Sequence, residues 1–148
     1  MKSKHYFIVF FSLLLCLPFA SSSYPQQNKK YTQKQKVAID KVIKSLGKLH
    51  SAAQFGISYS LYEQKTVETK ENVDEYMLNI PESALKDSLS SSMHSYDFAL
   101  TLWRNYKESF IKTYNGEQCY NWCLKDSWSD GERSLANAEK IYDNKNKK

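Results

Sequence analysis

The chain has 148 residues, with 21 Lys and Arg against 16 Asp and Glu, a net charge of +5, and only four glycines and three prolines. That is enough chain for one domain with a real core. So few turn residues exclude a sandwich or barrel, and the charge excess is too mild and scattered for a nucleic-acid binder of this size.

Residues 1–22 have the pattern of a secretory signal peptide. Lys2, Lys4 and His5 open it, Phe7–Leu17 is apolar apart from Ser12, and Pro18-Phe19-Ala20-Ser21-Ser22-Ser23 supplies small residues. The apolar run is shorter than the roughly 20 residues a membrane-spanning helix needs. Ala20 and Ser22 stand at −3 and −1 for cleavage after Ser22. Cleavage there removes Lys2 and Lys4, which leaves 19 basic residues against 16 acids, near +3. The expected product is secreted or periplasmic, with no transmembrane segment after leader cleavage. Anchoring through Cys16 is disfavoured by the bulky Leu15 before it.

Residues 23–36 are rich in Gln, Lys and Asn, with Lys29, Lys30, Lys34 and Lys36 around Tyr31. They read as a flexible basic arm. A helical domain is expected over 37–142. Its first helix covers Val37–Val67, where Ile39, Val42, Ile43, Leu46, Leu49, Ala53, Ile57, Leu61 and Val67 recur at three- and four-residue steps. Gly47 and Gly56 lie inside it. Gly56, beside Ala53 and Ser60, reads as a point of close approach by another helix. A second stripe, Ala52, Phe55, Tyr59 and Tyr62, lies nearly opposite the first, and two faces on one helix need two partners.

Pro81 marks a break and suits the first turn of a new helix. Leu85, Leu89, Met93, Tyr96, Leu100, Trp103, Phe110, Ile111 and Tyr114 then form the stripe of a second long helix. Asn115-Gly116 supplies its C-cap. Ser129-Asp130-Gly131-Glu132 has the form of a capping box opening a last short helix with Leu135, Ala138, Ile141 and Tyr142. Residues 143–148 are a polar tail. The expected fold is all-α: a long antiparallel helical hairpin with a short C-terminal helix packed on it, a three- to four-helix bundle.

Candidate chemistry is sparse. Cys119 and Cys123 are the cysteines left after the leader. In an oxidising compartment an intrachain disulfide is the expected state, with an intermolecular bridge, free thiols or metal as rivals. A zinc site needs two more ligands, and His50 and His94 are in no paired spacing. No serine nucleophile elbow, P-loop or dinucleotide fingerprint is present, so no cofactor is expected. Phe55, Tyr59, Tyr62, Tyr120, Trp122 and Trp128 form the candidate interaction surface. Large apolar patches mark interfaces, and Tyr and Trp are favoured there. Burial under the C-terminal helix is the competing reading for the tyrosine stripe. The expected function is an exported non-catalytic binding or structural module, working on a protein partner or on itself. A thiol- or metal-dependent protein centred on Cys119/Cys123, and a carrier of a small hydrophobic ligand, are the alternatives.

Overall fold

The computed structural model describes residues 30–108 and 114–147, with the side chains of 30–106 and 121–147. The proposed signal peptide and most of the basic arm lie outside these residues. Four helices and no strand make up the described chain: α1 Gln33–Gln54, α2 Tyr59–Met77, α3 Ala84–Glu108 and α4 Tyr114–Asn146. The all-α bundle is therefore present, but its helices are divided differently from the sequence reading.

α1 begins within the expected arm. The Thr32 side chain accepts from the Gln35 N–H, and the Gln35 amide oxygen accepts from the Thr32 N–H. This reciprocal pair satisfies two otherwise unmade donors and draws Lys34 and Lys36 into helix. Tyr31, expected to be loose, is buried; its ring stands 6.0 Å from Tyr142 and has the Lys145 ammonium 4.1 Å above it. The polar tail is likewise helical as far as Asn146.

The long first helix of the sequence reading is two helices. Gly56 has φ +76°, a conformation that costs glycine little and other residues more, and the Ser58 hydroxyl caps α2 by accepting from the Leu61 N–H at 3.4 Å. A Cβ placed on Gly56 meets nothing within 4 Å. Backbone conformation, not close helix approach, is what glycine supplies there. The break resolves the two-stripe problem. α1 buries Ile39, Val42, Leu46, Leu49 and Ala53. After the turn, α2 buries Tyr62, Thr66, Thr69, Val73 and Met77, while Leu61 and Val67 of the original stripe face solvent.

α3 opens after Pro81, with the Ser83 hydroxyl accepting from the Lys86 N–H. It buries the expected stripe from Leu85 to Leu100 and, beside it, Ser88, Ser92 and Ala99, which the apolar pattern did not include. Residues 109–113 are outside the described chain, and Asn115-Gly116 lies in the first turn of α4 rather than ending a helix. α4 then runs unbroken through Ser129–Glu132, so no helix begins there. Leu124, Ser127, Gly131, Leu135 and Ala138 continue one buried line through the segment at three- and four-residue steps. Two of those positions are small and polar or bare, which hid the stripe.

Gly131 marks a close approach of α4 to α3. A Cβ built there falls 2.8 Å from Tyr96 Cζ and 2.9 Å from Cε2, and the Ser92 hydroxyl donates to the Gly131 carbonyl at 2.8 Å. The pairing of neighbours runs in opposite directions. Glu63 meets Arg104 and Lys70 meets Asp97 between α2 and α3. Ser88 meets Asn137 and Ser92 meets Gly131 between α3 and α4. His50 approaches Glu132 to bring α1 against α4.

Candidate functional site

The residues expected to form one interaction surface divide into three groups. Tyr62 is fully enclosed. Its hydroxyl donates to the Tyr96 carbonyl at 3.0 Å and accepts from the Trp128 indole N–H at 3.0 Å. Burial pushes its pKa up to about 12, against the smaller lowering effect of hydrogen bonding with the Trp128 and Thr66 side chains. Tyr62 is therefore a core side chain, and Trp128, half-buried, packs against it. Tyr59, half-buried, belongs with them. Its ring meets Trp103 edge-on at 5.7 Å, and Trp103 meets Tyr62 and Trp128 at 5.6 and 6.1 Å. Four rings at such separations form a stable cluster. The Arg104 guanidinium closes the rim of this cluster, donating to Glu63 Oε1 at 2.9 Å and to the Tyr59 hydroxyl at 3.4 Å.

Phe55 and Trp122 remain exposed, at 88% and 65%. Phe55 stands alone on the turn between α1 and α2. The Tyr120 side chain and the Cys119 side chain lie outside the described residues. The backbone is helical at Cys119 and Cys123. Residues four apart in a regular α-helix hold their Cβ atoms about 5–6 Å apart, whereas a disulfide needs about 3.5–4.5 Å. An intrachain bridge there requires a local departure from helical geometry.

Two surface concavities lie near these side chains. One, of about 440 Å³, sits beside the aromatic cluster and is lined by Ala53, Ile57, Trp103, Leu124, Lys125 and Trp128. The other, of about 420 Å³, is an open groove between α3 and α4 lined by His94, Phe98, Trp122, Cys123, Asp126 and Asp130. Phe98 is 51% exposed, so both aromatic walls of this groove stand in water. Sequence reading missed Phe98. The available signal was its position off the α3 stripe: an aromatic residue between Tyr96 and Leu100, both of which the helix turns inward.

The His50 imidazole is partly buried; its Nε2 stands 3.6 Å from Glu132 Oε1. His50 Nδ1 and the Tyr96 hydroxyl are buried without hydrogen-bond partners among the described residues. Among the described residues no group of three or more His, Cys, Asp and Glu could hold a metal ion, and no helix is long and apolar enough to cross a membrane. No family model, no curated protein and no solved structure matches this chain. The surface itself is what remains to suggest a function.

Proposed function

We propose that the protein is an exported, non-catalytic binding module whose working surface is the groove between α3 and α4, two antiparallel helices with Phe98 on one and Trp122 on the other. The observation that carries this reading is that both large aromatic side chains are exposed beside the same groove. Trp is enriched where proteins bind, and paired exposed aromatics cost solubility unless something covers them. The leader-like residues 1–22 support export. A Cys119–Cys123 bridge, formed with local distortion of α4, is consistent with the same compartment and would stiffen the approach to Trp122.

A photo-crosslinking residue placed at Trp122 tests the reading in the producing cell. A discrete crosslinked species is expected from position 122, and none from exposed Lys44 on α1. Equal labelling from both positions, or none from either, would sink the proposal. A second reading, a carrier of a small hydrophobic ligand, is favoured by the concavity beside Trp103 and Trp128. Native mass spectrometry of the exported protein would detect a co-purifying small molecule.

A further inference from the structure

The α3–α4 groove combines apolar walls with a local reversal of charge. The chain as a whole is basic, at +5, yet Asp126 and Asp130 line the groove and, among the described residues, no Lys or Arg does. Trp122, Asp126 and Asp130 follow one another at four-residue steps on α4, so the indole and the two carboxylates stand in a row about 12 Å long on one helix face. His94 and Phe98 make the corresponding step on α3. Asp130 is joined to Arg133 at 3.2 Å, with both groups well exposed, and such solvated pairs exchange partners at little cost. Asp126 has no ion pair among the described residues.

Resting on the binding-module reading, we infer that this groove takes an extended segment of a partner protein that presents a Lys or Arg beside an apolar residue. The apolar side chain fits between Phe98 and Trp122. The cation then reaches the Asp126 carboxylate and lies against the face of the Trp122 indole. Both contacts favour a cation: a carboxylate gives a charge-assisted hydrogen bond, and a tryptophan face is the strongest aromatic partner for a positive charge. Phosphate-bearing partners are disfavoured by the same two carboxylates.

The test uses the full exported chain, isotopically labelled, and capped peptides Ala-Leu-Arg-Leu-Ala, Ala-Leu-Gln-Leu-Ala and Ala-Leu-Glu-Leu-Ala, with the Trp122 indole N–H resonance as readout. The Arg peptide is expected to shift that resonance, with about tenfold weaker binding for the Gln peptide. Asp126→Asn should weaken the Arg peptide by a similar factor, Trp122→Ala, followed through the backbone amide resonances of α3 and α4, should abolish its binding, and Lys125→Gln should leave it unchanged. Asp126, Lys125 and Trp122 are all exposed, and unchanged circular dichroism would establish that each variant folds. Equal binding of the Arg and Gln peptides overturns the inferred cation preference but leaves a binding groove. No peptide binding, with a dimer in sedimentation that Trp122→Ala dissolves, overturns the inference in favour of a second copy of this chain. No peptide binding and no self-association overturns the inference as well, and the crosslinking at position 122 then decides separately whether the groove binds anything.

Discussion

Substituting Gly131 by Ala tests the close approach of α4 to α3. In an exposed helix interior the change stabilises by about 1 kcal/mol, because alanine has less backbone freedom to lose. Gly47 in α1 is half-buried but comes near that case, since a Cβ there meets nothing within 4 Å. At Gly131 the new methyl falls 2.8, 2.9 and 3.2 Å from three atoms of the Tyr96 ring. That ring is fully enclosed, so it has nowhere to move. Overpacking of this kind costs about 1–3 kcal/mol. Gly47→Ala should therefore raise the melting temperature by a few degrees, while Gly131→Ala should fall about 1–3 kcal/mol below it in urea-derived stability. Introducing Tyr96→Leu into both backgrounds completes a double-mutant cycle. The gap between the two alanine variants should shrink when the ring is gone. If Gly131→Ala stabilises as much as Gly47→Ala, the packing of Tyr96 on α4 described above is wrong.

Removing the Tyr62 hydroxyl with Tyr62→Phe strands the Trp128 indole N–H and should cost about 1–3 kcal/mol by urea titration; no loss would place Tyr62 outside the core. Stability should also fall at high pH. The unfolded chain gives up its phenolic protons near pH 10, whereas buried Tyr62 holds its proton to about 12 and Tyr96 is raised in the same direction. The folded state then binds more protons, and stability is lost as pH rises through this window. Phenolate absorbance should show these groups titrating only as the helical signal collapses. Phe98→Ser and Trp122→Ser, at exposed positions, should alter stability by less than about 0.5 kcal/mol, in contrast with Tyr62→Ser, which should abolish cooperative folding. The intact mass of the exported protein, with and without thiol alkylation, should give a chain beginning near Ser23 or Tyr24 and two hydrogens lighter than the reduced form. A chain that retains residues 1–22 would remove the basis for export.

The apolar stripes were legible wherever large side chains carried them. Ile39, Val42, Leu46 and Leu49 in α1, and Leu85, Leu89, Met93 and Tyr96 in α3, are buried as their spacing implies. The stripes failed where the buried residue was not apolar or where a turn reset the face. Thr66 and Thr69 carry the core side of α2, and periodicity that counts only hydrophobic residues passes them over. Gly56 looked like a packing glycine because its backbone angle is invisible in sequence. Gly131, read as part of a helix start, is the true packing glycine, and its reason lies 35 positions away at Tyr96. The candidate site was half legible. Trp122 was named as a surface residue and is one. Tyr62 and Trp128 were named with it, and a hydrogen bond between them across 66 residues holds Trp128, half-buried, against the enclosed Tyr62.

The contact of α1 with α4 joins the two ends of the described chain: Tyr31 touches Tyr142, and His50 approaches Glu132. A chain made from its N-terminus at about 5–20 residues per second leaves α1 waiting on the order of ten seconds for α4. Until then part of its apolar face has no final partner. Under the export proposed above, in which the polypeptide threads unfolded through a translocation pore, that delay is useful. The bundle cannot lock before its last helix has been made, so the chain stays threadable for as long as its synthesis takes.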